Sequence, residues 1–296
     1  MKEQDFVSYD GKVLHLYVFD EVLNAKGVVQ IAHGMQEYCA TYFDFAKVLN
    51  QNGFYVVMFD ERSHGKTCKS VEEIGAYEND LFCSIVRDQA YLSKLIKAKT
   101  SLPLTMFAHS YGSFIGQKYI QNCDAYDKII LSGTSYMKTP TIFFAKIVAK
   151  ITKMFKGRNK KAKLIEKLSF GAYKKHFQGS GSWICCDEEE TKKFYADKHC
   201  GTPFSVGFYE DMFCNQLKLY KRKEMEKINK EKPILIFCGK DDIVGNFGKG
   251  PKRLLKEYEK YGLNVNLVLK DGMRHSLIQE TKREQVFSFI IQFIEQ

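Results

Sequence analysis

The sequence contains little that interrupts regular structure. Only 21 glycines and 5 prolines occur among 296 residues, and 45% of the residues are apolar or aromatic. These proportions exclude a collagenous, low-complexity or disordered chain. No stretch approaches the roughly 18 consecutive apolar residues of a membrane-spanning helix. Residues 1–5 are polar and acidic, where a signal peptide has a basic patch and an apolar run. We therefore expect a soluble, cytoplasmic protein of one or two domains.

Cysteine occurs without the spacing that metal sites need. None of the nine cysteines belongs to a C-x-x-C pair, and Cys185 and Cys186 are adjacent. Adjacent cysteines cannot easily form a disulfide without strain. In a chain that is not exported, this pattern indicates reduced thiols rather than a disulfide framework or a zinc site. We expect no metal and no cofactor.

The net charge of +10 comes from one segment. Residues 138–175 contain twelve lysine and arginine residues and a single acidic residue, Glu166, whereas the rest of the chain sums to −1. A basic patch can bind nucleic acid, but this segment has no signature of a nucleic-acid-binding fold. We therefore expect no nucleic-acid partner.

Short β-rich runs alternate with helical patterns in both terminal parts of the chain. This alternation indicates an α/β fold with a mainly parallel sheet and crossover helices. The predicted strands are residues 14–19, 28–32, 55–59, 104–108, 128–131, 233–237 and 265–269, and the predicted helices are residues 42–50, 80–99, 113–121, 251–261 and 281–295. The alternation stops near Ser135 and resumes at Pro233. Residues 1–134 and 233–296 are therefore predicted to form the α/β core, and residues 135–232 an inserted helical cap.

The most specific motif lies where the predicted strand 104–108 leads into a helix. The sequence there is Ala108-His109-Ser110-Tyr111-Gly112. A serine on a sharp strand-to-helix turn has an exposed hydroxyl, and the turn leaves room only for small residues two positions before and after it. The first position is alanine where the commoner motif has glycine. Ser110 is the candidate nucleophile.

A nucleophilic serine needs a base, and the base needs an acidic residue that orients it. After the last two predicted strands, the chain offers Asp241 or Asp242 and then His275, in the order nucleophile, acid, histidine. Both groups would stand at the carboxyl ends of strands, beside Ser110. This arrangement predicts nucleophilic catalysis by serine.

A third component follows the predicted strand 28–32, where the sequence reads His33-Gly34-Met35. The backbone N–H of Met35, together with that of Tyr111, is predicted to form an oxyanion hole. Only backbone groups are needed there, so the side chain of Met35 can vary. We interpret His33 as a turn residue that hydrogen-bonds the loop rather than as a catalyst.

Two further segments resemble a known family. Residues 33–38 read His-Gly-Met-Gln-Glu-Tyr, and residues 60–67 read Asp-Glu-Arg-Ser-His-Gly-Lys-Thr. They are similar to the His-Gly-x-x-Glu-His and Asp-x-Arg-Gly-His-Gly-x-Ser patterns of the monoacylglycerol lipase and lysophospholipase branch of the α/β-hydrolases, from which Tyr38, Ser63 and Thr67 depart. The resemblance covers most of the chain apart from the basic segment. It implies an α/β-hydrolase fold, with a mostly parallel eight-stranded sheet, flanking helices and an inserted helical cap.

Position by position, the resemblance implies that Ser110 is the nucleophile, His275 the general base and then acid, and Asp242 the orienting carboxylate. The family spacing Gly-x-x-Asp-x-Val-Gly begins at Gly239 and favours Asp242 over Asp241. The implied activity is that of a serine carboxylic-ester hydrolase. Its substrates would be single-chain lipids, either monoacylglycerols or lysophospholipids, cleaved through an acyl-serine intermediate.

The cap contains a predicted basic amphipathic helix within residues 142–155. Placed over Ser110, this helix would line an acyl pocket with Ile147, Ile151 and Phe155. The resemblance places Trp183 near the cap, where it is either a packing anchor of the insertion or a further substrate contact. The simpler alternative is that the apolar face packs on the core and that the lysines are solvated.

The concentration of charge in the cap suggests a second role. Basic residues near an anionic surface each contribute about 1 kcal/mol to binding. We therefore expect peripheral contact between the basic cap and an anionic membrane, at its inner face. Two alternative functions stay open: a short-chain carboxylesterase, amidase or peptidase of the same fold, and a catalytically silent membrane-binding module. A dehalogenase or epoxide hydrolase would need a carboxylate in place of Ser110.

Overall fold

A computed structural model describes residues 1–177 and 182–296 of the chain. Within these residues one mixed sheet of eight strands forms the centre of the fold, in the order β1-β2-β4-β3-β5-β6-β7-β8. The strands are β1 (Lys2–Val7), β2 (Val13–Phe19), β3 (Gly27–Ala32), β4 (Phe54–Phe59), β5 (Leu104–His109), β6 (Lys128–Ser132), β7 (Ile234–Gly239) and β8 (Val265–Lys270). The β1–β2 and β2–β4 pairs are antiparallel, and the others are parallel. The predicted fold class is confirmed.

Helices cover both faces of this sheet. They are α1 (Phe43–Gln51), α2 (Leu81–Lys99), α3 (Tyr111–Tyr119), α9 (Lys249–Glu259) and α10 (Arg283–Glu295), with α4 to α8 between β6 and β7. The predicted bounds agree to within about two residues. In the described ranges, no helix is both long and apolar enough to cross a bilayer.

The two faces of the central strands enter separate apolar layers. Met106, Ala108 and Leu131 point into the layer that contains α2, α3 and α9. Phe107 and Ile130 point into the layer that contains α1 and α10. Successive strand residues face opposite sides of a sheet, and a strand covered on both sides is apolar throughout. Strands β3, β5 and β7 are completely buried. Their continuous apolar sequence is the reason that they could be predicted.

The strand order brings the loops after β3, β5, β7 and β8 to the same edge of the sheet. From β3 the chain passes to β4 on one side and later to β5 on the other. Loops that leave a parallel sheet on either side of such a reversal form a crevice at the carboxyl ends of the strands. The loop after β3, the turn after β5 and the loops after β7 and β8 all emerge at that edge.

The insertion between β6 and β7 is helical in the part that the structure describes. Its helices are α4 (Pro140–Lys156), α5 (Lys163–His176), α6 (Glu188–Ala196), α7 (Val206–Gln216) and α8 (Arg222–Met225). Thr139 caps α4 by accepting a hydrogen bond from the Ile142 N–H, and Pro140 occupies the first helical position, where its missing donor costs nothing. Helix α4 packs against α7.

Candidate active site

Ser110 occupies the sharp turn between β5 and α3. Its backbone has φ +52° and ψ −117°, a conformation that residues other than glycine rarely adopt. Its N–H donates to the Ser132 carbonyl of the neighbouring strand at 2.9 Å. A Cβ atom at Gly112 would lie 2.4 Å from the Ala32 carbonyl oxygen, so glycine is required there by the close approach of α3 to β3. These constraints hold the Ser110 hydroxyl at the edge of the sheet.

Three side chains from distant parts of the chain meet at this turn. The Oγ of Ser110 lies 2.7 Å from Nε2 of His275, and Nδ1 of His275 lies 3.0 Å from Oδ2 of Asp242. Asp242 and His275 are 0% and 3% exposed, so both work in a region from which bulk water is excluded. The structure thus brings together the three residues that the sequence singled out.

The hydrogen bonds assign the protons of this group. Oδ1 of Asp242 accepts the Val244 N–H at 2.8 Å, which leaves Oδ2 to accept the Nδ1–H of His275. With its proton on Nδ1, neutral His275 can accept the hydroxyl proton of Ser110 at Nε2. Asp241 is exposed, and its backbone N–H donates to the Met273 carbonyl. The geometry therefore favours Asp242 over Asp241 as the partner of His275.

The predicted oxyanion hole has two candidate donors. The N–H of Tyr111 begins α3 and the N–H of Met35 lies in the loop after β3. Within the part of the chain that the structure describes, neither N–H group donates to another protein group. The two loops are close, since a Cβ atom at Gly34 would lie 3.2 Å from Cβ of Ser110. Both N–H groups are therefore candidate donors for the predicted oxyanion hole.

Buried side chains hold the loop after β3 in place. A carboxylate oxygen of Glu37 accepts the Gly34 N–H at 2.6 Å and the hydroxyl proton of Tyr42. His33 donates from Nδ1 to the Gly34 carbonyl at 2.8 Å and accepts the Glu61 N–H at Nε2, at 2.9 Å. Burial raises the pKa of Glu37 and lowers the pKa of His33. His33 is a loop hydrogen-bonder, and Glu37 fixes the backbone beside Met35.

His109 lies beside the candidate base, His275, but is itself uncharged. The ring centroids of His109 and His275 are 5.0 Å apart, and Nδ1 of His109 lies 3.3 Å from the Ser132 hydroxyl. Burial, followed by the nearby charge of His275, lowers the pKa of His109 well below its usual range. His109 is therefore neutral and does not oppose protonation of His275.

A cavity of about 90 Å³ opens over Ser110. The core lines it with the loop after β3, the turn at Ser110 and the loop that carries His275. The insertion contributes Glu166, Trp183, Ile184, Phe194, Tyr195 and Gly201. The centroids of the Trp183 and His275 rings are 5.4 Å apart, so this side chain lies directly against the candidate base. Of the four side chains predicted to contact substrate, the structure brings Trp183 to the cavity.

The other three, Ile147, Ile151 and Phe155, are not among the residues that line this cavity. They are 38%, 49% and 83% exposed on the outer surface of α4. The physical reason is that α4 meets the core through a different face: Ala149 is completely buried, and Ile142, Ala145 and Val148 pack against the core cluster that contains α7. The residues on the opposite face of α4, including Ile147, Ile151 and Phe155, are therefore left outside.

Glu166 lines the cavity, although the sequence pattern predicts no role for it beyond its negative charge. One of its carboxylate oxygens accepts hydrogen bonds from the Gln36 amide at 2.7 Å, the Tyr209 hydroxyl at 2.5 Å and the Phe204 N–H at 3.1 Å. It therefore joins α5 to the loop beside Met35. One feature of the sequence could have indicated this role, because Glu166 is the single acidic residue in the basic segment 138–175.

Two groups of buried side chains lie close enough to surround a cation: His33, Glu61 and His64, and His33, Cys39 and Asp60. Both ring nitrogens of His33 already form hydrogen bonds to backbone groups. Both carboxylate oxygens of Asp60 accept backbone N–H groups. Neither group offers a full set of free ligand atoms, and their hydrogen bonds brace the loops behind Ser110.

The parallel sheet, the turn that carries a serine and the histidine and aspartate beside it define an α/β-hydrolase. The family model described as serine aminopeptidase, S33 (Hydrolase_4) matches residues 24–282. The chain belongs to this family and is a hydrolase. A comparison with curated protein sequences gave no match.

Solved structures share the fold over nearly the whole chain. A lipase in its open form is 23% identical with a TM-score of 0.86, and covers 99% of this chain and 98% of its own. A thermostable carboxyl esterase from Bacillus coagulans, in complex with glycerol, is 25% identical with a TM-score of 0.86 and covers 99% and 97%. A monoglyceride lipase variant from Saccharomyces cerevisiae is 23% identical with a TM-score of 0.79 and covers 99% and 94%. These likenesses show that the chain shares the fold of these proteins.

Proposed function

We propose that the protein is a serine carboxylic-ester hydrolase that cleaves single-chain lipids, either monoacylglycerols or lysophospholipids, through an acyl-serine intermediate. The observation that carries the proposal is the continuous set of hydrogen bonds from the Ser110 hydroxyl through His275 to Asp242. This set lies near the N–H groups of Met35 and Tyr111, which donate to no other group among the described residues, at the base of a cavity roofed by the insertion.

The proposed reaction begins when Oγ of Ser110 attacks the ester carbonyl carbon and transfers its proton to Nε2 of His275. Asp242 keeps the second imidazole proton on Nδ1 and stabilises the imidazolium. The N–H groups of Met35 and Tyr111 donate to the oxyanion of the tetrahedral intermediate. His275 then gives its proton to the leaving alcohol, and an acyl-Ser110 ester remains. Water, activated by His275, hydrolyses this ester and restores the free hydroxyl.

The choice of single-chain lipids rests on the character of the roof. Trp183, Ile184, Phe194 and Tyr195 give it an apolar and aromatic lining, and two of the structural neighbours are named as lipases. A cavity of 90 Å³ is far smaller than the roughly 300–1,000 Å³ of ordinary ligand pockets. We therefore propose that residues 135–232 act as a lid and that this lid moves before a long acyl chain enters.

We further propose that the outer surface of the lid contacts an anionic membrane. Large apolar side chains are exposed along it, including Met154 at 74% and Phe155 at 83%. Lysines lie among them, as α4 carries Lys146, Lys150 and Lys156. Apolar groups that enter a lipid surface, surrounded by cations that pair with anionic headgroups, are the combination typical of peripheral membrane binding.

A second candidate is a short-chain carboxylesterase, amidase or peptidase with the same reacting groups. The small cavity over Ser110 favours short acyl groups, and the family description names an aminopeptidase. A catalytically silent membrane-binding module would use only the outer surface of the insertion.

A substrate panel separates these functions. We expect hydrolysis of monoacylglycerol or lysophosphatidylcholine, and para-nitrophenyl ester activity that rises with acyl length. Activity confined to acetate esters would refute the lipid substrate, and cleavage of aminoacyl amides without ester hydrolysis would favour the peptidase. The Ser110→Ala variant is the matched control and should be inactive on every substrate.

Vesicle sedimentation tests the membrane contact separately. We expect binding to vesicles that contain anionic lipid and little binding to neutral vesicles, with a loss of binding as salt screens the charges. Equal binding to both kinds of vesicle would contradict the role given to the lysines. Because Ser110→Ala leaves the outer surface of the lid unchanged, it should bind as the wild type does.

A further inference from the structure

A short segment of the insertion is attached directly to the loop that carries the proposed base. Residues 182–187 lie beside residues 274–276, and the contacts fall on both sides of His275. The Ser276 N–H donates to the Ile184 carbonyl at 2.7 Å, and the Arg274 guanidinium donates to the Ser182 carbonyl at 2.5 Å. The backbone around His275 is thus held by the insertion as well as by β8.

Glu280 joins the same two segments. Its Oε1 accepts the Arg274 N–H at 2.7 Å, and its Oε2 accepts the Cys186 N–H at 3.0 Å. The side chain is 1% exposed. Among the described residues, no lysine or arginine forms an ion pair with it. Its carboxylate therefore serves two backbone donors, one from the residue before His275 and one from the insertion.

The position of these donors matters because His275 has little freedom elsewhere. Its ring must hold a 2.7 Å contact to Ser110 and a 3.0 Å contact to Asp242 at the same time. A displacement of about 1 Å in a reacting group can reduce a catalytic rate by about 100-fold. A backbone anchor next to His275 is therefore able to control the rate without touching substrate.

We propose that Glu280 is a positioning residue for His275, which locks the 182–187 segment of the insertion to the loop of the base. The inference rests on the proposed function, since it assigns His275 as the base. It goes beyond that function because it makes the alignment of the base depend on the position of the insertion. Trp183, in the same segment, extends this link to the cavity, since its ring lies against that of His275.

Glu280→Gln is the informative substitution. A glutamine oxygen can accept one of the two N–H groups, but its NH₂ group then faces the other donor, so one anchor is lost. The matched control is Glu284→Gln, which removes an exposed carboxylate one turn further along the chain. The measurements are kcat and KM on a para-nitrophenyl ester, the rate of labelling by a fluorophosphonate, and the proton resonance of His275 Nδ1–H by NMR.

We expect Glu280→Gln to lower kcat by about 10- to 100-fold with KM within about threefold of the wild-type value. The labelling rate should fall in parallel, and the Nδ1–H resonance should shift or broaden. A folded Glu280→Gln protein with kcat within twofold of wild type and an unchanged resonance would overturn the proposal. So would an equal loss in Glu284→Gln.

A second variant and a measurement without substrate keep the test informative if Glu280→Gln does not fold or if the protein hydrolyses no ester. If Glu280→Gln does not fold, Glu280→Asp is judged by the same criteria, since it keeps the charge but is one methylene too short to reach both donors. The NMR resonance is measured without substrate. A protein that hydrolyses no ester would refute the proposed function, whereas the resonance would still show whether Glu280 positions His275.

Discussion

Replacing Asp242 by asparagine changes one atom of the buried group while preserving its shape. The Val244 N–H donates to Oδ1 of Asp242, so the carbonyl oxygen of an asparagine is required at that position. Its NH₂ group then faces Nδ1 of His275, which must accept a hydrogen bond instead of donating one. The imidazole proton moves to Nε2, where it prevents His275 from accepting the proton of Ser110.

The expected magnitude follows from this forced change of tautomer. Loss of the correct tautomer in a serine–histidine–aspartate system costs about 10⁴-fold in kcat, or about 5.4 kcal/mol of activation free energy. The opposite amide orientation would restore the tautomer, but it places two donors against each other at Val244, at a cost of about 1–3 kcal/mol. It also leaves a neutral amide where the carboxylate stabilised the imidazolium, so this orientation does not recover the lost rate. We therefore expect Asp242→Asn to retain its fold and to lose about 10⁴-fold in kcat.

The assay compares Asp242→Asn with Asp241→Asn, using a soluble para-nitrophenyl ester and thermal unfolding. Asp241 is exposed and adjacent in sequence, so its substitution makes the same chemical change without reaching His275. A folded Asp242→Asn protein with activity within about tenfold of wild type would refute the reasoning. A larger loss in Asp241→Asn would show that the orienting acid had been assigned to the wrong residue.

Three further predictions concern the turn, a buried histidine and the lid. Gly112→Ala should lower the free energy of unfolding by about 1–3 kcal/mol and reduce activity, as measured by urea unfolding and ester hydrolysis. The control is Gly171→Ala, whose new Cβ atom would make only an ordinary contact, 3.6 Å from Cγ of Lys167. Burial lowers the pKa of His64 well below its usual range, so below about pH 6.5 the unfolded chain binds a proton that the folded protein does not, and stability falls with falling pH by up to about 1.4 kcal/mol per unit. Urea unfolding across this range should show a shallower slope for His64→Asn, and an unchanged slope would contradict the assignment. Phe155→Glu should weaken binding to anionic vesicles by at least about tenfold without changing hydrolysis of a soluble ester.

The buried part of the fold was predictable because burial on both sides makes a strand continuously apolar. Strand β5 is an example, as is β7. The first strand, β1, was missed because it lies at the edge of the sheet and begins with polar residues that remain exposed. At such a position the partner strand supplies the structure, and the local pattern carries little information.

The meeting of Ser110, Asp242 and His275 was predictable for a geometric reason. Each follows a strand in the parallel part of the sheet, and the carboxyl ends of such strands lie at one edge. The residues of the insertion that were predicted to contact substrate are not fixed by the sheet in this way. The periodicity of α4 shows that the helix has an apolar face, but it does not say which neighbour that face meets. Ala149 and Val148 pack inward, and Ile151 and Phe155 remain outside.

Glu166 and Glu280 could not be assigned from the sequence because many of their partners are backbone N–H groups. The Phe204 N–H bonds to Glu166, and the Arg274 and Cys186 N–H groups bond to Glu280. A backbone donor is present at almost every residue and leaves no mark in the side-chain pattern. Such contacts emerge only when the folded chain brings distant segments together.

The most direct test of the central claim is intact-mass measurement after exposure to a fluorophosphonate, followed by peptide mapping. If Ser110 is activated by His275 and Asp242, one adduct should form per chain, on the peptide that contains Ser110, and it should be absent from Ser110→Ala. A folded wild-type protein that gains no mass, or that is labelled equally in Ser110→Ala, would contradict the account.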